Sequence, residues 1–425
     1  FEDTMLMHYM FDENPGTHGL KQLAMNHTPY GDYEKPLEDW GIEYRRKHGI
    51  LKEAFSYDLI PFDVMKDYAA MDAVVTFLLY EKMRAAIEKN SRLLWVYENI
   101  LLEGCNFLRQ VENNGVPFDR ARLEFAQGVM QEDIEKAVAE LYEFPEVRLF
   151  EKGQGKDFNP NSTVQLRSLL FDYINLTPTG KKTGTGAHST DAEVLGQLAE
   201  EHAVPKHILE IRQKNKIKNT YLDKIIPNLD RDSRLRTGFN LHGTTSGRLS
   251  SSGKLNMQQL PRDNPTVKGC IKAREGHKIV SMDLTTAEVY VAAVLAKDVG
   301  LQQVFKDGGN FHSSIAKQVF KLPCEVDQVD ELYGAQRQQA KAVTFGIMYG
   351  AGPAKISWQV SKDSGKEFSM QEAQRVIREY FQSFPNLKKW LDECGAFIKS
   401  NAFIYSEFGR KRRLPNAKSR DKGIA

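Results

Sequence analysis

The chain has 425 residues, of which 58 are lysine or arginine and 56 are aspartate or glutamate, so its formal net charge is +2. A chain of this length exceeds what one hydrophobic core usually organises, and we expect two or more structural units. The charge balance does not indicate binding to a polyanion, so any basic surface must come from local clustering. The four cysteines form no CxxC pair, which argues against a zinc site and a disulfide framework and favours a reducing compartment.

No apolar run reaches the length of a membrane span, and the first residues have neither the basic start nor the apolar stretch of a signal peptide. We therefore expect a soluble protein with no membrane partner. Because the sequence begins at Phe1 and stops at Lys-Gly-Ile-Ala, we expect both ends to be cuts in a longer protein.

Helical segments and turn-rich breaks alternate in the first part of the chain. The clearest helix in residues 1–90 runs from Val64 to Lys82, and this region is typical of the last part of an α/β domain. A helical segment from Arg92 to Asn113 ends in a turn-rich run, and another follows at 120–143. These patterns predict a domain border near 91–117.

A polar stretch and then mostly helices follow. Residues 151–190 are rich in Gly, Lys, Thr, Asn and Ser and predict an exposed loop or tip. The run Ile279 to Asp283 predicts a short buried strand, and Thr285 to Lys297 predicts the next helix. Helices are expected to dominate from Gln302 to about Ser400.

Tyr68 and Asp72 lie one helical turn apart and share a face of the first predicted helix. Most pairs of this kind are structural, and a catalytic role needs further support. Farther along, Arg212, Lys216 and Lys218 belong to a cationic cluster that suits phosphate contacts without reading base sequence. A solvated helix face is the alternative.

The segment from Thr244 to Ser252 is small and polar around Arg248, and Asn256 and Gln258 follow it. It is either an ordinary loop or a surface for the DNA backbone and minor groove. Arg and Gln donate to purine N3 and pyrimidine O2, which are nearly the same for every base pair. A protein that binds DNA of any sequence needs that degeneracy.

Asp283 ends the predicted strand, and Glu288 falls in the first turn of the next helix. A carboxylate fixed at a strand end can hold Mg²⁺, which prefers oxygen ligands and usually keeps a substrate phosphate in its shell. A surface role is the alternative for Asp283. For Glu288 the alternative is a capping box with Thr285, which would satisfy free amides at the helix start.

Two cations and two aromatic rings recur every fourth residue and therefore share one helix face. They are Arg337, Lys341, Phe345 and Tyr349. Like charges at this spacing cost roughly a few tenths of a kcal/mol in an isolated helix, so an anion between them, such as a triphosphate, would explain the pattern. A solvated basic face beside a packed aromatic face is the alternative.

These segments occur in the order typical of family A, or DNA polymerase I-like, DNA polymerases. Asp283 to Tyr290 resembles motif A of that family, and Arg337 to Gly350 resembles motif B with its R-x3-K-x3-F/Y-x3-Y pattern intact. The runs TTSGRLSSS and NMQQLPR resemble the segments that grip primer and template. FEDTMLMHYM and YAAMD resemble the last part of a 3′–5′ exonuclease domain, including its third motif, Y-x3-D.

The resemblance implies roles in catalysis. Asp283 would bind both catalytic Mg²⁺ ions, with the Leu284 carbonyl assisting one of them. Glu288 would close the space beside the sugar 2′ position. Tyr68 and Asp72 would orient water and a divalent metal ion in proofreading.

The resemblance also implies two binding surfaces. Deoxynucleoside triphosphate would be bound by Arg337, Lys341, His312, Phe345 and Tyr349, with Lys341 also catalytic. Primer-template DNA would be contacted by Arg212, Lys216, Lys218, Arg248, Asn256, Gln258 and Arg410. A processivity or replisome factor stays open as a further partner.

The implied fold is multidomain, with α/β and α+β parts. A partial ribonuclease H-like 3′–5′ exonuclease domain occupies residues 1–90, and a right-hand polymerase domain occupies 91–425. Within the latter we expect the thumb at about 118–230, the palm at about 231–298 and 403–425, and the fingers at about 299–402.

The sequence also departs from the family pattern. Tyr290 stands where motif A commonly has arginine, and Leu284 stands in place of an aromatic residue. Motif C, a His-Asp-Glu segment that supplies the second metal-binding aspartate, is absent, as are the first two exonuclease motifs. We therefore expect either a fragment or a polymerase whose missing parts come from another chain.

The expected function is template-directed DNA synthesis by two-metal phosphoryl transfer, with a residual proofreading domain. The alternative is a subunit of a split polymerase that needs motif C from another chain. Single-subunit RNA polymerases share much of motif B, but Glu288 and the exonuclease-like beginning argue against them. We expect a cytoplasmic location, in the host for a phage enzyme, with an organelle left open if targeting residues were removed.

Overall fold

The computed structural model describes residues 1–253, 255–261, 264–284, 286–364 and 367–419. The chain divides into two compact units, Phe1–Ile279 and Val280–Ala425. None of the described helices combines the length and the hydrophobicity that a membrane span requires. All four cysteines are free.

The first unit is mostly helical. Its α-helices are α1 (Thr4–Phe11), α2 (Leu20–His27), α3 (Lys35–His48), α4 (Phe62–Glu88), α5 (Ser91–Val96), α6 (Glu103–Asn114), α7 (Arg120–Tyr142), α8 (Pro145–Gln154), α9 (Thr163–Ser168), α10 (Ala192–Leu198), α11 (Ala203–Lys216), α12 (Asp223–Ile225) and α13 (Pro265–Lys268). Turns of π-helix follow α5, α9 and α11 at Tyr97–Leu102, Leu169–Tyr173 and Ile217–Leu222. Turns of 3-10 helix lie at Lys52–Ala54, Tyr57–Leu59, Ile226–Asn228 and Met257–Gln259. The three helical segments predicted up to residue 143 are confirmed.

Helix α4 forms because its apolar residues recur every fourth position. Val75, Leu79, Met83 and Ile87 are buried on one face, and that face packs against α1 and α2 in the first core of the unit. Asp3 caps α1 by accepting a hydrogen bond from the Leu6 amide, which satisfies one of the free donors at the helix start. Residues 1–90 are all described and contain no strand, so this region contributes only helices.

Two short antiparallel strand pairs lie in the first unit. Strand β1 (Val116–Pro117) pairs antiparallel with β2 (Arg234–Leu235), and β3 (Gly238–Asn240) pairs antiparallel with β4 (Ser250–Ser252). The second pair carries residues 241–249 as its connecting loop. This hairpin therefore positions the segment that the sequence singled out around Arg248.

The polar stretch 151–190 has more regular structure than predicted. It contains the end of α8, all of α9 and the π-helical turn that follows. The reason is that Leu166, Leu169 and Leu170 are fully buried in a second core of this unit, and that burial stabilises the helix. The rest of the stretch is largely irregular, as expected.

The second unit is also helical, as predicted. Its helices are α14 (Ala287–Leu295), α15 (Val299–Lys306), α16 (Phe311–Phe320), α17 (Val329–Leu332), α18 (Gly334–Met348), α19 (Pro353–Ser364), α20 (Met370–Ser383) and α21 (Pro385–Asn401). Turns of 3-10 helix lie at Val326–Gln328 and Pro415–Lys418. Strands β5 (Phe403–Tyr405) and β6 (Lys411–Arg413) form an antiparallel hairpin.

One core joins most of these helices, with α16 and α18 at its centre. The buried Asp298 caps α15 through the Leu301 amide at 3.0 Å. Its other oxygen accepts from the Leu387 amide of α21 at 3.0 Å. One carboxylate therefore links two helix starts in this core.

The prediction of a buried strand at residues 279–283 is wrong. Residues 277–284 have no regular structure, and the side chains of Val280, Met282 and Leu284 are 76%, 90% and 81% exposed. A strand requires a neighbour that pairs with its backbone, and none of β1 to β6 pairs with this segment in the part of the chain that the structure describes. Asp283 therefore lies on an exposed segment before α14.

Candidate active site and nucleic-acid interface

Helix α18 presents the predicted row of cations and aromatic rings along one side. Lys341, Phe345 and Tyr349 line a cavity of about 360 Å³, and α19 forms its other wall. This volume is in the range of small-ligand sites. Lys355 and Gln359 of α19 also line the cavity, although the sequence did not single them out.

His312 of α16 lies beside this row. Its ring centroid is 5.5 Å from that of Phe345, and its Nδ1 atom is buried without a hydrogen-bond partner in the part of the chain that is described. Burial, together with the charges of Lys341 and Arg337, lowers the pKa of His312 to about 4. The imidazole is therefore neutral near pH 7.

Arg337 is held at the start of α16. Its Nη2 atom donates to Oδ1 of Asn310 at 3.5 Å, and its Nε atom lies 3.5 Å from Oδ1 of Asp330. Asn310 caps α16, on which His312 is the second residue. The structure therefore brings together the three predicted phosphate ligands, two of them cations whose charge an anion would neutralise.

Glu288 and Tyr349 meet next to this row. The Tyr349 hydroxyl donates to Oε1 of Glu288 at 3.3 Å. Helix α14 begins at Ala287, after Thr286 adopts the left-handed conformation at φ +52°, which is rare for a β-branched residue and is often found at functional sites. Thr285, the partner in the alternative capping box, lies outside the described residues. The contact with Tyr349 is compatible with the role that the resemblance implies for Glu288, which is to close the space beside the sugar 2′ position.

Asp283 and Leu284 are the predicted metal ligands of the polymerase site. Both are exposed, and their carboxylate and carbonyl oxygens are donors of the kind that Mg²⁺ prefers. Among the residues the structure describes, however, no three His, Cys, Asp or Glu side chains are grouped to hold a metal ion.

Tyr290, which stands where motif A commonly has an arginine, begins a row of aromatic side chains in contact with one another. Tyr290 packs edge-on against Phe305 with ring centroids 5.2 Å apart. Phe305 stacks on Phe311 at 4.7 Å, and Phe311 contacts His312. Tyr290 therefore has a packing role toward the candidate phosphate site, which the sequence did not reveal.

The predicted proofreading pair lies on α4 in the first unit. Asp72 accepts a hydrogen bond from the Tyr33 hydroxyl at 2.6 Å, and the rings of Tyr33 and Tyr68 stack at 6.3 Å. Burial and the neighbouring Asp72 raise the pKa of Tyr68 to about 12, so its hydroxyl is protonated near pH 7. Tyr33 was not singled out from the sequence, because 39 residues separate it from its partner.

The predicted cationic cluster does not form one solvated face. Arg212 turns inward, where its Nη1 atom donates to the Thr190 carbonyl at 2.6 Å, and burial lowers its pKa. Lys218 pairs with Asp223 at 2.9 Å. Lys216 is exposed at the end of α11, so it is the residue of the three best placed to reach phosphate.

The hairpin β3–β4 and the turn after it bring the predicted minor-groove residues together. Arg248 and Gln258 are exposed. Gln258 Nε2 donates to the Leu249 carbonyl at 3.3 Å, and Asn256 caps the 3-10 turn that carries Gln258. Arg410 is in the second unit, next to β6, where its backbone amide donates to the Ser406 hydroxyl at 3.1 Å.

Comparison with known proteins fixes the family. Residues 128–425 match the family model described as DNA polymerase family A, and residues 1–88 match the model described as 3′–5′ exonuclease. The chain belongs to DNA polymerase family A, with an exonuclease domain before the polymerase domain. Polymerase and exonuclease domains of this family generally use divalent metal ions.

Two relatives and one solved structure illustrate the similarity. The chain is 51% identical to the DNA polymerase of Escherichia phage T5 over 439 residues, which is 99% of this chain and 51% of that protein. It is 30% identical to DNA polymerase I of Rhizobium leguminosarum, over 100% of this chain and 39% of that protein. It therefore spans about half or less of these relatives' length.

The similar structure is the POL domain of Pol1 from M. smegmatis in complex with DNA primer-template and dNTP. Its TM-score is 0.75 at 24% identity, covering 99% of this chain and 66% of that chain. This likeness confirms the predicted fold. The split-polymerase alternative receives no specific support from any of these comparisons.

Proposed function

We propose that this chain binds primer-template DNA and deoxynucleoside triphosphate for template-directed DNA synthesis, in which deoxynucleotides are added to the primer 3′ end. The observation that carries the proposal is the convergence of Arg337, Lys341 and His312 beside a cavity lined by Phe345 and Tyr349. We also propose that the chain retains part of a proofreading exonuclease domain, with Tyr68 and Asp72 in the site of that domain.

The phosphate ligands act by position and charge. The transferred phosphoryl group gains its stabilisation from cations placed around its oxygens rather than from covalent chemistry. Lys341 is exposed toward the cavity and takes the phosphates nearest the reaction. Arg337 is the cation whose position is fixed, because Asn310 and Asp330 hold it. His312 is neutral, so it supplies a hydrogen bond without adding a third positive charge that would repel Lys341 and Arg337.

Selection for the deoxy sugar rests on Glu288. Its carboxylate is held by the Tyr349 hydroxyl at 3.3 Å. In that position it fills the space that a 2′-hydroxyl would need. The aromatic ring of Phe345 lies on the same helix face, one turn earlier, and stacks near the incoming sugar and base.

Mg²⁺ would neutralise phosphate charge and activate the primer hydroxyl in this reaction. Asp283 and the Leu284 carbonyl are the ligands that this chain supplies. Two ions need more than one carboxylate, so we propose that a further aspartate is required before the site is active. The proposal for proofreading likewise assigns one metal ligand, Asp72, to this chain.

Primer-template contact is assigned to exposed cations and amides. Arg248 and Gln258 test the minor groove from the β3–β4 hairpin and the turn after it, where both are exposed. Lys216 contacts phosphate, and Asn256 orients the turn that carries Gln258. We further propose that the protein acts in the cytoplasm, on the ground of its similarity to a phage polymerase.

The experiment uses the purified 425-residue chain and a fluorescent primer-template. We expect binding that weakens as salt rises, because phosphate contacts release counterions, and negligible primer extension in Mg²⁺. Arg248→Ala should weaken binding, whereas Arg120→Ala, which removes an exposed arginine paired with Glu124, should not. Failure to bind primer-template contradicts the proposed function, and robust extension by the chain alone contradicts the need for a further carboxylate.

A further inference from the structure

Helix α1, in the exonuclease part of the first unit, contacts the loop that carries Arg248. Tyr9 of α1 is 1% exposed, and its hydroxyl donates to the Thr244 carbonyl in the β3–β4 loop. The two residues are 235 positions apart in the sequence. A buried donor at this point satisfies a loop carbonyl that lies four residues before the proposed minor-groove arginine.

A second hydrogen bond continues from Thr244 to Arg248. The Thr244 hydroxyl donates to the Arg248 carbonyl at 2.7 Å and so closes the turn. Gly247 adopts φ +87° within it, a conformation that glycine reaches without steric cost. Tyr9, Thr244 and Arg248 therefore form a continuous chain of hydrogen bonds from a buried helix to an exposed turn.

Histidines reinforce the same junction. The ring of His18, which is 3% exposed, packs edge-on against Tyr9 at 5.5 Å and against His242 of the β3–β4 loop at 5.7 Å. Its Nδ1 atom lies 2.8 Å from Nδ1 of His8 on α1. His18 thus contacts both α1 and the start of the β3–β4 loop, and it holds the two together.

We propose that Tyr9 is a positioning residue for the primer-template grip, which acts by fixing the turn of Thr244 to Arg248 through its hydroxyl. This inference rests on the proposed function, because it assigns Arg248 a DNA contact. It adds that the exonuclease part of the chain contributes to DNA binding by the polymerase part. Loss of the hydroxyl leaves the Thr244 carbonyl unpaired and the turn free to take other conformations.

The test is a double-mutant cycle on the whole chain, with primer-template affinity as the measurement. Tyr9→Phe keeps the ring and removes the donor, and we expect it to weaken affinity about 2- to 10-fold, the effect of one hydrogen bond. In an Arg248→Ala background the same change should have no further effect, because residues that act through one contact are not additive. Thr244→Val removes the next bond in the chain and should repeat both results.

Tyr97→Phe is the matched control. Tyr97 belongs to the same core and is fully buried, but its hydroxyl bonds Glu2 at 2.7 Å and the Asp3 amide at 3.0 Å. It should lower the melting temperature and leave affinity unchanged. Two results would show that the positioning role is wrong, provided that the parent binds DNA. One is a primer-template affinity of Tyr9→Phe equal to that of the parent or of Tyr97→Phe. The other is a loss of affinity from Tyr9→Phe that adds fully to the loss from Arg248→Ala. If the parent does not bind, the proposed function itself fails, and this inference with it.

Discussion

Removing the Glu288 side chain should relax discrimination against ribonucleotides in an active polymerase that contains this chain. A ribonucleotide carries one additional hydroxyl. Under the role proposed for Glu288, that hydroxyl must displace the carboxylate from its contact with Tyr349 or leave a polar group poorly paired. That costs about 1 to 3 kcal/mol, so Glu288→Ala should raise relative ribonucleotide use about 5- to 150-fold.

The contact with Tyr349 adds a graded control. Its hydrogen bond to Glu288 is long, at 3.3 Å, and both side chains are exposed. Tyr349→Phe should therefore release only about 0.5 to 1.5 kcal/mol, or about 2- to 13-fold in discrimination. Glu288→Gln, which keeps the length of the side chain, should fall between the parent and Glu288→Ala.

The assay is the ratio of the specificity constants for the deoxy and ribo forms of one nucleotide, measured for each variant with the melting temperature. A role only at the start of α14 would lower stability by about 0.5 to 2 kcal/mol and leave the ratio unchanged. An unchanged ratio together with a lowered melting temperature would refute the role of Glu288 in selecting the deoxy sugar.

Four further predictions concern charge and protonation. Asp283→Ala should abolish synthesis by an active polymerase that contains this chain and leave DNA affinity nearly intact, because it removes a proposed metal ligand and no proposed DNA contact; extension within about tenfold of the parent, or ~1.4 kcal/mol, contradicts this. Lys341→Ala should lower both nucleotide affinity and the rate of the chemical step in steady-state kinetics, whereas Lys389→Ala, which removes an exposed lysine on α21, should change neither. The pKa of His312, about 4 in the free chain, should rise on triphosphate binding, because an anion offsets the neighbouring cations; an NMR titration showing no change removes His312 from the site. Burial and then the charges of His8 and His242 lower the pKa of His18 from 6.5 to about 4, so the free energy of unfolding should fall as pH drops from about 6.5 to 4. Denaturant unfolding at several pH values should show this fall, and the fall should be smaller in the His18→Asn variant.

Local periodicity explains what could be predicted from the sequence. The four-residue spacing from Arg337 to Tyr349 fixes a common helix face, because a helix turns once in about 3.6 residues. The same reasoning found α4, whose buried residues recur at that spacing. Neither pattern depends on distant parts of the chain.

Long-range contacts explain most of what was missed. The partners of Tyr9 and Asp72 lie 235 and 39 positions away, and no spacing rule joins them. The inward turn of Arg212 depends on a carbonyl 22 positions earlier. The strand predicted at 279–283 failed for a related reason, since an apolar run forms a strand only where another strand pairs with it.

The most direct test of nucleotide selection by this chain is nucleotide binding to its complex with primer-template DNA. We predict that the dNTP complementary to the next template base binds more tightly than the other three. Lys341→Ala should lower the affinity for the complementary dNTP, whereas Lys389→Ala should not. Equal affinity for all four nucleotides, or a complementary affinity unaffected by Lys341→Ala, would contradict the assignment of the α18 face as the site of template-directed nucleotide binding.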